Sequence, residues 1–230
     1  MHRYLWLSFL LASCASYPVR EDLDKVGAVS LLGDQLVVDV SPRSLFKSDR
    51  RTLDVKDWSV DNAFRDLFKA GIVERKRDYV PFNLEPDALA KLANVRERRF
   101  EKTVGRQSQA LMDSLFAEAD RKGMKYFFLL TPPREHEHFP QHRGNFGAYC
   151  DGRDAAYLYF FFDFALYDVA ARRKVFFYSV DPSVTEAMTF GECNVIANLR
   201  DPVHQLEDPM RKTMGLLVDA LFEKMGWKKP

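Results

Sequence analysis

Ala156-Tyr157-Leu158-Tyr159-Phe160-Phe161-Phe162-Asp163-Phe164-Ala165-Leu166-Tyr167-Asp168, a short turn, and then Lys174-Val175-Phe176-Phe177-Tyr178-Ser179-Val180 decide the fold. Both runs are rich in aromatic and β-branched residues, which suit a pleated surface. The turn Ala170-Ala171-Arg172-Arg173 joins them into a hairpin. If the turn is centred between Ala171 and Arg172, Tyr167 faces Phe176, Leu166 faces Phe177 and Asp163 faces Val180. Side chains alternate across a strand, so each face can be read off. One carries Leu158, Phe160, Phe162, Phe164, Leu166, Val175 and Phe177, and reads as core. The other carries Tyr157, Tyr159, Phe161, Asp163, Tyr167, Phe176 and Tyr178, and is aromatic with polar tips. Such a face is either covered core or an aromatic platform for a partner. On the platform reading Tyr157, Tyr159, Phe161, Tyr167 and Tyr178 are the candidate partner-binding residues.

The same register, carried outward, brings Cys150 opposite Cys193 and makes them a candidate disulfide. Two separate buried thiols is the alternative.

Working upstream, Lys25–Leu32 and Gln35–Val40 are β-rich runs separated by Gly33-Asp34, which predicts a hairpin with Gly33 at positive φ. A weaker strand lies around residues 52–55. Asp61 is the expected N-cap of a helix whose apolar face is Ala63, Phe64, Leu67 and Phe68 and which Gly71 closes. Trp58 is read as packing at the start of that helix. Pro86 opens a second helix, and residues 104–119 form the clearest one, ended by Gly123. Lys125–Leu130 reads as a buried strand, and residues 131–155 as a long polar loop. Asp208-Pro209 is the expected start of the last helix. The order predicts an α+β sandwich, a mixed and mainly antiparallel sheet with helices packed on one face.

Nineteen Phe in 230 residues supply an ample core. The formal net charge of +1 gives no long-range pull toward nucleic acid. The basic run from Arg96 to Arg106 is diluted by Glu97 and Glu101 and reads as a solvated helix face.

The chain opens Met1-His2-Arg3, continues with the apolar run Tyr4–Leu11, and reaches Leu11-Ala12-Ser13-Cys14. The run is far shorter than the roughly 20 residues a membrane-spanning helix needs and suits the core of a secretory signal. The tetrapeptide resembles the lipobox of bacterial lipoproteins. The resemblance implies removal of residues 1–13 and acylation of Cys14, and two or more acyl chains anchor a protein stably. Ala15 stands where inner-membrane retention would usually show Asp, implying the periplasmic face of the outer membrane. Residues 14–24 then form a tether of about 35 Å at most. Residues 25–230 form a single periplasmic domain. In element order that domain is similar to penicillin-binding-protein activator lipoproteins and to the N-terminal domain of the Tol translocation protein. The expectation is a non-enzymatic binding or scaffold module whose partner is an envelope protein, with no cofactor.

Two constellations point elsewhere. Leu32-Gly33-Asp34-Gln35-Leu36 and Asp201-Pro202-Val203-His204 resemble the first and last blocks of SGNH/GDSL hydrolases, which implies a degenerate or unusual hydrolase using Asp201 and His204. Gln35 replaces that family's serine, and an amide is not activated by His as a hydroxyl is. His136, His138 and His142 are of ligand type for zinc or copper, but their spacing matches no metal-site pattern, and a solvated loop is the simpler reading.

Overall fold

The computed structural model describes residues 24–40, 49–82, 106–132, 145–150, 155–180, 189–227 and 229. Its strands are β1 (Val26–Ser30), β2 (Gln35–Val40), β3 (Asp49–Asp54), β4 (Tyr126–Thr131), β5 (Phe146–Cys150), β6 (Ala155–Phe160), β7 (Phe162–Asp168), β8 (Arg173–Val180) and β9 (Thr189–Glu192). The helices are α1 (Val60–Glu74), α2 (Arg106–Arg121), α3 (Cys193–Ala197) and α4 (Pro202–Lys224). A four-stranded sheet has the order β1-β4-β7-β8, and a five-stranded sheet the order β3-β2-β5-β6-β9. The α+β class and the mixed, mainly antiparallel pairing are therefore as the sequence predicts.

The first hairpin is not formed. Gly33 does adopt positive φ, at 80°, but β1 and β2 pair with different partners. β1 runs parallel to β4, and β2 parallel to β5. The chain uses Gly33 to cross from one sheet to the other. β1 is buried along its whole length, and strands covered on both faces read as continuous apolar runs. β5 is the partner that the expected polar loop concealed. At its second residue Gly147 lets the backbones approach, since a Cβ there would run into the Val37 carbonyl.

Asp61 does not cap α1. Ser59 holds the cap position, and Asp61 sits in the first turn. Its carboxylate reaches across to the crossover, accepting from Ser30 Oγ at 2.7 Å and from the Leu32 N–H at 2.8 Å, with the Gly33 N–H at 3.4 Å. The return crossing, from β6 to β7, takes the single residue Phe161. Asn145 ties the two crossings together: its Nδ2 donates to the Leu32 carbonyl at 2.6 Å, and its carbonyl accepts from the Phe161 N–H at 2.7 Å.

The β7–β8 hairpin forms one residue out of the expected register. Leu166 faces Phe176 and Asp163 faces Ser179, and a bulge near Val175 sets Tyr167 against Lys174. A one-residue slip exchanges the faces of a strand. Phe176 and Tyr178 accordingly pack against the main core, while Phe177, expected in the core, is 44% exposed.

Helices cover both faces of the four-stranded sheet, not one. Phe64 of α1 meets Phe160 and Phe162 edge-on, and Phe68 stacks on Phe164 at 5.6 Å. Leu217, Leu221 and Phe222 of α4 join the same cluster. On the opposite face Leu111, Leu115 and Phe116 of α2 pack on Phe127 and Leu129. β4 thus sends Phe128 and Leu130 to one core and Phe127 and Leu129 to the other, as strand alternation requires.

Two helix boundaries differ from expectation. α1 runs through Gly71 to Glu74 because Gly71 faces Phe222, whose ring a Cβ would strike. α4 begins at Pro202, seven residues before the expected first-turn proline, and carries Pro209 inside it. Pro202 supplies the fixed φ that suits a first helical position. The helix expected from Pro86 lies outside the described residues.

Candidate functional site

The non-core face of the five-stranded sheet gathers polar and aromatic side chains from four strands. Register sets Arg50 of β3 beside Asp39 of β2, Asp39 beside Tyr149 of β5, and Tyr149 beside Tyr157 of β6. One rung away, Tyr159 lies beside Gly147 and fills the space that a side chain at 147 would need. Tyr149 stacks on Tyr157 with ring centroids 5.3 Å apart and meets Tyr159 edge-on at 5.8 Å. The helices of the main core, including Ile196 of α3, lie on the opposite face with Leu36, Val38 and Phe160.

Burial divides the cluster. Tyr159 and Asp39 are buried, while Tyr149, Tyr157 and Arg50 are half-buried. Burial pushes the Tyr159 phenol above its ordinary pKa, the Arg50 charge opposes that, and Asp39 and Tyr149 reinforce it. Burial thus favours the neutral form of the phenol. Two stacked phenols in a row with Asp39 and Arg50 can hold a partner by ring contact and hydrogen bonds.

The expected platform residues separate. Tyr157 and Tyr159 belong to this cluster, but Tyr159 is 1% exposed and presents no surface, and Phe161 is buried at the sheet crossing. Tyr167 stacks on Phe127 at 5.2 Å beneath α2. Tyr178 lies on the other face, where the Lys224 ammonium sits 4.6 Å from its ring centroid. Asp39, Arg50 and Tyr149, which complete the cluster, were not singled out as binding residues from the sequence. Their signal was the polar residue inside an apolar strand at Asp39 and the Tyr149-Cys150 end of β5.

Cys150 and Cys193 are bonded, with Cα atoms 5.4 Å apart. The reason is not the expected facing register. β5 and β9 flank β6 on its two sides, and Ala156 pairs with Cys150 on one side and Gly191 on the other. The bridge lies beside the start of β6, with Cys193 Sγ 3.1 Å from the Ala155 carbonyl oxygen, and ties the end of β5 to the first residue of α3.

Asp201 and His204 form a helix cap. Asp201 is the N-cap of α4, accepting from the His204 N–H at 3.3 Å, with its other oxygen 2.8 Å from His204 Nδ1. The backbone N–H of His204, ahead of its side chain, holds the Asp201 carboxyl below the usual carboxylate range. Both side chains are exposed, at 56% and 81%. Gln35 is exposed at the start of β2, and Asp34 accepts the Val55 N–H through its carbonyl. An apolar cleft of about 210 Å³ lies elsewhere, lined by Trp58, Phe146, Phe160, Met210 and Met214 among others. Its enclosed space is about 10 Å³, room for about one water and for no ligand. Trp58 itself is buried at the start of α1, as expected.

Cys14 and the histidines at 136, 138 and 142 lie outside the described residues. Among the described residues no group of three or more His, Cys, Asp and Glu could hold a metal ion, and no helix is long and apolar enough to cross a membrane. The sequence matches no protein-family model and no curated protein.

Proposed function

We propose that the chain is a lipoprotein of the bacterial cell envelope, anchored in the outer membrane through acyl chains on Cys14. Its folded part serves as a binding or scaffold module for another envelope protein and catalyses no reaction of its own. The observation that carries this reading is the tetrapeptide Leu11-Ala12-Ser13-Cys14 behind a short apolar run. The Cys150–Cys193 bridge supports it, because disulfides persist in oxidising compartments such as the periplasm. The half-buried Tyr149–Tyr157 stack, with Asp39 beside Tyr149 and Arg50 beyond it, supports the binding role.

Radiolabelled palmitate is expected to enter the wild-type protein, which sediments with outer membranes. The Cys14→Ser protein is expected to take up no label and to leave that fraction. Absence of label from the wild type, or unchanged sedimentation of the variant, would refute the anchor.

The binding role has its own test. Tyr157→Ala removes a half-buried ring and is expected to cut recovery of a crosslinked envelope partner by about tenfold, the scale of a 1.4 kcal/mol contact. Equal recovery with wild type and variant counts against the tyrosine face.

A further inference from the structure

Charge is distributed unevenly between the two ends of the domain. Val26, Tyr126, Asp168 and Arg173 form one row across the four-stranded sheet, at the start of β1, β4 and β8 and the end of β7. The three long helices finish beside that row. α1 leads to Asp78, whose carbonyl accepts from the Val26 N–H at 2.8 Å. α2 leads to Lys125, whose N–H donates to the Lys25 carbonyl at 3.1 Å. α4 leads to Trp227, whose carbonyl accepts from Arg75 Nε at 2.8 Å, just past the end of α1. Among the described residues of these segments (24–26, 74–80, 118–126, 168–174 and 219–229), twelve Lys and Arg stand against eight Asp and Glu. The remaining described residues hold nine against thirteen. The end where α1 and α4 begin is the acidic one, with Asp57, Asp61, Asp201, Glu207 and Asp208. Helix C-termini attract cations in any protein, but Lys25, Arg172, Arg173 and Lys174 are exposed and lie outside the helices. Arg172 pairs with Asp120 at 3.4 Å and Lys125 with Asp24 at 3.9 Å, whereas Lys25 and Arg173 make no ion pair among the described residues.

We propose that this basic end docks on the anionic phospholipid headgroups of the membrane that holds the chain, an inference that rests on the acylation of Cys14 proposed above. The point at which the tether arrives selects this occupant. Asp24, ten residues beyond Cys14, lies at the basic end, and an extended chain of that length reaches at most about 35 Å. α4, with 23 residues, is about as long as that reach. The basic end is thus held near the bilayer, while the acidic end is repelled by lipid phosphates and faces away. Each Lys or Arg close to an anionic surface adds to the attraction, which fades beyond a screening length of about 8 Å at physiological salt. A modest excess of charge binds weakly when the domain is free. The anchor makes docking intramolecular, at an effective concentration of about millimolar, and weak attraction then suffices.

The test uses the full-length Cys14→Ser chain, which carries no acyl group, so its outcome is independent of the anchor. It is sedimented with vesicles of phosphatidylcholine alone or of an equal mixture with phosphatidylglycerol, at about 0.01 M salt, where the screening length is about 30 Å. Residues 1–13 are common to every arm, so differences between variants report the domain. Binding to the mixed vesicles is expected to be at least about tenfold tighter than to the neutral ones. Lys25→Gln with Arg173→Gln is expected to weaken binding to the mixed vesicles at least about tenfold, the effect of two surface charges. The same change in charge at the far end, Lys56→Gln with Arg200→Gln, is expected to leave it nearly unchanged. Raising salt to about 1 M is expected to abolish the preference for mixed vesicles, a readout that needs no further substitution. Equal binding to both kinds of vesicle, indifference to the Lys25 and Arg173 changes, an equal loss from the far-end pair, or a preference that survives high salt would each overturn the proposal.

Discussion

Replacing Cys150 and Cys193 together by serine is expected to lower the unfolding free energy by about 4 kcal/mol. The bridge joins residues 43 apart in sequence, and that loop holds the whole of β6, β7, β8 and β9. Cross-linking a loop of this length restricts the unfolded chain, and the chain-entropy relation gives the figure quoted. The native state loses little in exchange, because the Cα separation of 5.4 Å lies within the ordinary range for disulfides. Urea unfolding of the wild type, with and without reductant, provides the measurement. Reductant should move the wild-type midpoint to that of the double serine variant and leave the variant unmoved. A loss below about 1 kcal/mol would mean that the reduced chain is already held by the strands around β6.

The reading of this disulfide shows how the sequence informs and where it stops. The pair was legible, because only two cysteines follow Cys14. Its geometry was not, since Cys150 ends β5 while Cys193 opens α3 after β9, and a third strand, β6, lies between β5 and β9. Alternation told which residues of β7 are core, because one side of that strand, Phe162, Phe164 and Leu166, is uniformly apolar. It could not fix the β8 register, where Phe176, Phe177 and Tyr178 are all large and aromatic. A bulge beside them then decided which ring faces solvent.

Pairing between distant strands left the weakest trace. The run Val26–Leu32 and the run Gln35–Val40 are each consistent with a hairpin or with two parallel strands, and Gly33 suits either. The parallel choice depends on β4 and β5, about a hundred residues later. For the same reason Tyr157 and Tyr159 were visible as a pair, while Asp39, Arg50 and Tyr149 were not visible as their neighbours. Helix faces were legible from spacing, but the sheet face that each helix covers is set by chain connection, which is how α2 comes to lie opposite α1 and α4.

Asp61→Ala is expected to cost about 3 kcal/mol, because it strips the acceptor from Ser30 Oγ and from two backbone N–H groups at the crossover. Leu32 is buried and Ser30 is 6% exposed, so water restores these bonds poorly. The loss also removes a negative charge from the first turn of α1, where the helix dipole favours it. In a chain of this size the unfolding midpoint should fall by roughly 6–12 °C. Ser30→Ala alone should cost less, since it deletes a donor and leaves the carboxylate its two N–H partners. In a double-mutant cycle the two changes should couple by 0.5 kcal/mol or more, the range for groups in direct contact. Asp61→Ala with a midpoint like that of the wild type would show that Asn145, through Leu32 and Phe161, holds the crossing without help from α1.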